Sequence, residues 1–205
     1  MNIAVFASGR GSNFLAILDA IRDGTLPARM CLVISDRPDA VALAIANDRA
    51  ITAVHLSRTA FTSGEALAAA MLDVLRKNNA ETIALAGYLK RVPAPVVAAY
   101  RDRILNIHPA LLPSFGGPGM YGHHVHEAVI ASGAKVSGAT VHVVDEEYDR
   151  GPIVAQRCVP VEPNDTADSL AARVLTIEHQ LYPETLAAFA RGRVRVERGR
   201  AWILA

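Results

Sequence analysis

Asn106 and His108 stand two residues apart in the run 104–115, ILNIHPALLPSF. Ile104, Leu105 and Ile107 are apolar, so the run opens as a buried strand, in which residues i and i+2 project to the same side. Pro109 lacks an N–H for the ladder and ends the strand. Pro113 and the glycines at 116, 117 and 119 keep the chain beyond it irregular. An amide donor and an imidazole with an ordinary pKa of about 6.5 are thus delivered together at a C-terminal strand end, facing a Gly-rich loop. Such a pair has the means to stabilise an oxyanion and to shuttle a proton. The same spacing also fits a strand end whose polar groups cap loop backbone. Asp149 adds a carboxylate, and the turn Arg150-Gly151-Pro152 after it holds that group in a fixed place. A carboxylate beside an imidazole favours the imidazolium and sets its tautomer.

A second candidate is Ser8-Gly9-Arg10-Gly11-Ser12-Asn13, between the apolar run 2–7 and a helical pattern of Phe14, Leu15, Leu18 and Ile21. Ser12 or Asn13 is expected to cap that helix, whose first N–H groups would face an anion. Gly9 and Gly11 let backbone approach a phosphate closely. The turn reads as a monophosphate site, with a plain turn as the alternative. It is not a dinucleotide fingerprint: the third glycine position holds Phe14, and the acidic Asp36 lies in the turn after the second strand, not at its end. It is not a P-loop, because no Lys-Ser/Thr pair follows Gly11. The cluster His123, His124, His126 and Glu127 matches no zincin spacing and leaves a third ligand unspecified, so no metal is expected. His55, His142 and His179 read as structural or hydrogen-bonding.

The elements that must position these groups alternate. Strands are predicted at 2–7, 30–35, 52–56, 82–86 and 104–108, separated by helices at about 14–23, 40–48, 65–78 and 93–100. That order implies a parallel, doubly wound sheet whose strand ends gather the candidates at one edge. A helix is predicted over 124–132, then a strand over 135–144 kinked at Gly138, and a strand over 153–161 joined to it without a helix. Two such strands are antiparallel or mixed. The longest helix, 166–190, carries Leu170, Val174, Ile177 and Leu181 on one stripe, and Pro183 should kink or divide it. Residues 194–204 close the chain as a hairpin.

The 205 residues are 51% hydrophobic and carry a formal net charge of +1. This suits one domain with a large core and leaves no electrostatic footprint for nucleic acid. The arginines at 191, 193, 195, 198 and 200 alternate with Val194 and Val196, which reads as an exposed strand face. Cys31 and Cys158 lie in apolar runs and are expected as buried free thiols of a reducing compartment. No stretch has the form of a signal peptide or approaches a membrane span, and a cytoplasmic protein is expected.

Four runs together resemble a known family. Ser8–Asn13, Leu85-Ala86-Gly87-Tyr88, Asn106-Ile107-His108-Pro109-Ala110-Leu111-Leu112-Pro113 and Asp149–Pro152 occur in the order and spacing of the folate-dependent formyltransferases, and the first narrows the likeness to the phosphoribosylglycinamide branch. The resemblance covers nearly the whole chain. It implies a single formyltransferase domain over 1–205, with residues 1–100 as the phosphate- and nucleotide-binding half and 101–205 as the catalytic and folate-binding half. The implied fold is α/β, doubly wound and Rossmann-like, with a mixed sheet that is parallel in the N-terminal half and has antiparallel strands in the C-terminal half.

The implied reaction moves a formyl group from 10-formyltetrahydrofolate, a co-substrate, to the amine of glycinamide ribonucleotide in purine biosynthesis. No metal is implied, because the donor already carries an activated one-carbon unit. Asn106 and His108 would polarise the formyl group, and Asp149 would position His108 and move a proton through water. Gly11, Ser12 and Asn13 would hold the substrate phosphate. Gly87 and Glu178 would bind the rest of that substrate, with Glu178 on the ribose hydroxyls; without the family, Glu178 also reads as a solvated helix charge. Backbone along Leu89, Lys90, Arg91 and Val92, with the loop from Val144 through Asp145 and Glu146 to Asp149, would hold the pterin. Gly64 in Ser63-Gly64-Glu65 stands where family members often carry a base, which would shift phosphate binding onto Arg10 or backbone N–H groups. The implied partners are small molecules, with no nucleic acid or membrane, and the protein would be a monomer or homodimer. A methionyl-tRNA formyltransferase is expected to be longer and more basic, and a formyltetrahydrofolate hydrolase to carry a regulatory domain ahead of the first strand. For a mere nucleotide sensor, Asn106, His108 and Asp149 would be surplus.

Overall fold

Apolar runs four to eight residues long set the strands, and residues between them with 3.6-fold periodicity set the helices. A computed structural model describes residues 1–204; Ala205, the last residue of the expected domain, lies outside the described residues. Seven strands form one sheet in the order β3-β2-β1-β4-β5-β6-β7, and β8 and β9 form a separate two-stranded sheet. The fold is a Rossmann-like α/β arrangement with a parallel core and antiparallel strands on the C-terminal side. By internal packing the chain divides into two compact units, Met1–Leu105 and the residues from Asn106 onward.

The first unit contains β1 (Asn2–Phe6), α1 (Ser12–Arg22), β2 (Arg29–Ser35), α2 (Val41–Asp48), β3 (Thr52–His55), α3 (Gly64–Lys77), β4 (Thr82–Leu85) and α4 (Ala94–Ala99). β1 pairs in parallel with β2 and with β4, and β2 with β3. Ile3 to Phe6 have no exposed surface, as a parallel strand covered on both faces requires. α3 buries Leu67, Met71 and Leu75 on one stripe and is capped by Ser63, whose Oγ accepts the Ala66 N–H at 3.1 Å. The start of α1 differs from expectation. Its N-cap is Gly11, in the left-handed conformation at φ 75°, and Ser12 and Asn13 are already helical. A Cβ at Gly11 would come within 3.2 Å of Ala42 Cβ, so the close approach of α2 adds to the backbone reason for glycine.

β5 (Ile104–His108) carries the division between the units. The second unit continues with α5 (His123–Ser132), β6 (Val136–Val143), β7 (Ile153–Pro160), α6 (Ala167–Ala190), β8 (Val194–Glu197) and β9 (Arg200–Ile203). β6 and β7 pair antiparallel, as their helix-free connection requires. The irregularity in their register falls between Val141 and His142, not at Gly138, which pairs in register with Cys158. Gly138 is needed for space: a Cβ there would collide with the Arg157 carbonyl oxygen and sit 2.9 Å from the Cys158 Cα. Gly138→Ala is therefore expected to destabilise the protein by about 1–3 kcal/mol, the usual range for overpacking, seen as a lower urea midpoint with an unchanged slope.

α6 runs unbroken through Pro183. Thr166 caps it in a reciprocal box with Ser169, and Leu170, Val174, Leu181, Tyr182 and Leu186 are buried along it. The C-terminal hairpin forms as expected, its turn made by Arg198 and Gly199, both at positive φ, which is the two-residue geometry hairpins favour. Arg195 and Arg200 lie on its exposed positions. Both cysteines are free, but only Cys31 is shielded, with its Sγ on the Ile3 carbonyl at 3.3 Å. Cys158 is exposed, because β7 is the last strand of the sheet and leaves part of its length uncovered. Among the described residues no helix is long and apolar enough to cross a membrane.

Candidate active site

The second unit gathers Asn106, His108 and Asp149, which lie far apart in sequence. β5 ends with His108 buried and Asn106 half-buried. His108 Nε2 donates to the Phe115 carbonyl at 2.8 Å. A carbonyl only accepts, so the neutral ring carries its proton on Nε2 and turns the Nδ1 lone pair outward. That Nδ1 lies 3.7 Å from Asp149 Oδ2. The same oxygen accepts the Gly117 N–H at 2.8 Å, which anchors the carboxylate. Phe115 and Asp149 adopt φ 55° and 54°, a conformation that non-glycine residues take up at a cost and that clusters at functional sites.

His142, expected from the sequence to be structural or hydrogen-bonding, belongs to this cluster. Its Nδ1 donates to the Val143 carbonyl at 3.1 Å, which leaves Nε2 as an acceptor for Asn106 Nδ2 at 3.0 Å. The same Nε2 lies 3.6 Å from Asp149 Oδ1. His142 therefore fixes which way the Asn106 amide faces. The signal for it was present in the sequence: Thr140 and His142 are polar residues two apart in a mostly apolar strand, the same spacing as Asn106 and His108. Thr140 works on the loop after β5. Its Oγ1 donates to the Ala110 carbonyl at 2.6 Å and accepts the Leu112 N–H and the Gln156 amide, each at 3.0 Å.

Burial pushes the His108 pKa below its ordinary value, opposed by the Asp149 charge and the Phe115 carbonyl and reinforced by His142. The ring is thus neutral at neutral pH in the ligand-free protein, not poised near its ordinary value. For Asp149 burial pushes upward, but His142, the Gly117 N–H and the charge of His108 outweigh it, and the carboxyl is held below its usual range. His126, on α5, is pushed down to about 4, chiefly by burial. Neighbouring His123 and His124 lie on the surface beside Glu127, and His123 also reaches Asp168 at 3.5 Å. Among the described residues no three His, Cys, Asp or Glu side chains are placed to hold a metal ion.

Glu178 is 8% exposed, so it is not a solvated helix charge. It follows Leu170 and Val174 and precedes Tyr182 at four-residue spacing, on the buried stripe of α6. A carboxylate on an otherwise apolar stripe is costly without a polar partner or a ligand, and that misfit was readable in the sequence. Val144 is half-buried, and Asp145 and Glu146 are exposed at the start of the β6–β7 loop.

In the first unit the turns after β1, β2 and β4 all leave the C-terminal ends of parallel strands. Gly11, Ser12 and Asn13 begin α1, with the Leu15 N–H bonded to the Gly11 carbonyl at 2.9 Å. Asn13 is buried, Ser12 half-buried and Arg10 exposed. Gly87, at φ 75°, lies in the bend after β4, and its carbonyl accepts the Ser8 N–H at 3.0 Å. After it Leu89, Lys90 and Arg91 are exposed, and Val92 is buried.

A family model described as formyl transferase matches residues 1–186. The phosphoribosylglycinamide formyltransferase of Escherichia coli (strain K12) is 36% identical over 203 residues, which cover 99% of this chain and 93% of that protein. The chloroplastic phosphoribosylglycinamide formyltransferase of Vigna unguiculata is 44% identical over 192 residues; the match covers 94% of this chain, which spans 62% of that relative's length. The crystal structure of glycinamide ribonucleotide transformylase 1 from Symbiobacterium toebii is 41% identical and matches with a TM-score of 0.94, covering 100% of this chain and 94% of that one. On a likeness that runs from the first strand into the long helix α6, the chain belongs to the formyl transferase family, among its phosphoribosylglycinamide formyltransferases.

Proposed function

We propose that the protein transfers the formyl group of 10-formyltetrahydrofolate to the amine of glycinamide ribonucleotide, acting as one formyltransferase domain over residues 1–205. The observation that carries this reading is the cluster of Asn106, His108, His142 and Asp149 around the end of β5. An amide has two N–H groups. Asn106 gives one to His142 and offers the other to the formyl oxygen as negative charge grows there. That charge raises the proton affinity of the neighbouring imidazole, so His108 gains a proton on Nδ1, towards Asp149, when the oxygen needs compensation. That proton is the one the attacking amine gives away: it passes through water and Asp149 to His108 Nδ1, and Asp149, ionised at neutral pH, then holds the imidazolium until the proton moves on to the leaving nitrogen. A proton returns to N10 of the folate as its bond to the formyl carbon breaks.

Gly11, Ser12 and Asn13 hold the phosphate at the start of α1, where backbone N–H groups and the helix dipole favour an anion. Exposed Arg10 stands in for the base missing at Gly64. Gly87 and Glu178 bind the remainder of the ribonucleotide. Leu89, Lys90, Arg91 and Val92 hold the pterin, together with Val144, Asp145 and Glu146. The protein acts on small molecules in the cytoplasm as a monomer or homodimer.

The test is tetrahydrofolate release with and without glycinamide ribonucleotide. Release that requires the ribonucleotide supports formyl transfer; equal release in its absence makes the protein a hydrolase. Replacing Ser12 and Asn13 together by alanine is expected to raise KM for the ribonucleotide about tenfold and to leave KM for the folate nearly unchanged, since hydrogen bonds to a charged group are lost on one ligand alone. Equal rises in steady-state kinetics would count against this placement.

A further inference from the structure

Asp36 is the acidic residue after β2 that has no part in a dinucleotide fingerprint and none in the chemistry above. Its carboxylate is turned onto Ser8, which is 1% exposed. Ser8 Oγ donates to Asp36 Oδ1 at 2.5 Å and accepts the Leu89 N–H at 2.9 Å. A hydroxyl has one proton, and the carboxylate claims it, so a lone pair is left facing the Leu89 amide. The Ser8 N–H meets the Gly87 carbonyl, and the Phe6 ring meets Tyr88 edge-on at 5.4 Å. The chain after β4 is therefore tied down at 87, 88 and 89 and again at buried Val92, while Leu89 stands 45% exposed.

We propose that Ser8 and Asp36 are positioning residues for the folate donor: Asp36 orients the Ser8 hydroxyl, and the hydroxyl fixes the Leu89 amide and with it the backbone edge Leu89–Val92 that receives the pterin. This rests on the folate reading of that segment given above. Ser8 adjoins the phosphate turn, but its side chain points away from Gly9–Asn13 in bonding terms: both of its side-chain partners lie after β2 and β4. Loss of the hydroxyl should loosen the donor's seat and spare the ribonucleotide's.

The experiment compares the parent with Ser8→Ala, Ser8→Thr and Asp36→Ala. Amide hydrogen exchange at Leu89 reads the bond itself, and KM for 10-formyltetrahydrofolate and for glycinamide ribonucleotide reads its effect. Ser8→Ala is expected to speed exchange at Leu89 and to raise the donor KM about three- to tenfold, the worth of one neutral hydrogen bond, with the ribonucleotide KM within about twofold. Ser8→Thr keeps a hydroxyl and should restore both values. Asp36→Ala, at a half-buried turn position that should fold even if Ser8→Ala does not, is expected to shift the same two readouts in the same direction by less. Faster exchange with an unchanged donor KM, equal rises for both substrates, or unchanged exchange would each overturn the assignment. If the parent shows no formyl transfer, the proposed function itself has failed. Exchange at Leu89 and calorimetric affinity for tetrahydrofolate then decide the role of Ser8 separately, and unchanged affinity in Ser8→Ala overturns it.

Discussion

His108→Ala is expected to lower kcat for formyl transfer by about 10²–10³, the usual cost of removing one group that stabilises developing negative charge. The imidazole is buried at the end of β5, with Nε2–H committed to Phe115 and Nδ1 directed at Asp149. No other side chain of the cluster can both take a proton and pass the resulting charge to a carboxylate. Asn106 donates but does not titrate, and His142 spends Nδ1–H on the Val143 carbonyl and Nε2 on Asn106. KM values should move far less than kcat, because the interaction strengthens as charge develops. Truncation also leaves the Phe115 carbonyl without its donor, so thermal unfolding has to be followed alongside the steady-state kinetics. A folded variant with kcat within a few-fold of the parent would sink the assignment.

Asp149→Asn tests the geometry from the other side. Asparagine keeps the shape, tolerates the left-handed backbone at φ 54°, and retains a carbonyl oxygen for the Gly117 N–H. Folding should survive, while kcat falls by roughly 10²–10⁴, as when a carboxylate behind a catalytic imidazole is neutralised. The sign of the accompanying pKa change follows from the opposing effects at His108. Burial and His142 lower its pKa, whereas the Asp149 charge raises it. Removing that charge leaves burial less opposed, so His108 should titrate at a lower pH in the variant than in the parent. An NMR titration of His108 in both proteins checks this. An unchanged pKa together with near-parental kcat would reduce Asp149 to a turn residue, with the proton leaving by another route.

The order of strands and helices was legible because its signals are local: apolar runs bounded by Gly and Pro, and stripes at helical spacing. So were the pairing of Asn106 with His108 on one strand, the antiparallel connection of β6 to β7, and the closing hairpin. The features misread or missed depend on what lies opposite. Gly138 looks like a kink from its own strand, and only the Arg157 backbone across from it shows that it is a place of close approach. Gly11 takes the N-cap in a left-handed backbone close beside α2, which no property of Ser12 or Asn13 reveals. Pro183 passes within α6 although the local rule favours a break, since tertiary packing of a 24-residue helix outweighs one lost hydrogen bond. Cys158, expected to be buried like Cys31, stands on the sheet's last strand and is exposed.

By itself, the sequence determined residue types and the elements that carry them: an amide and an imidazole on one strand end, a carboxylate in a fixed turn, and a Gly-rich turn before a helix. Only the tertiary structure decided protonation and orientation. Burial makes His108 neutral at rest, the Phe115 carbonyl selects its tautomer, His142 aims the Asn106 amide, and Asp36 is spent on Ser8. The physical reason is that desolvation and hydrogen-bond direction are set by the groups that folding places opposite each side chain, most of them far away in the chain, and a linear pattern carries no record of them.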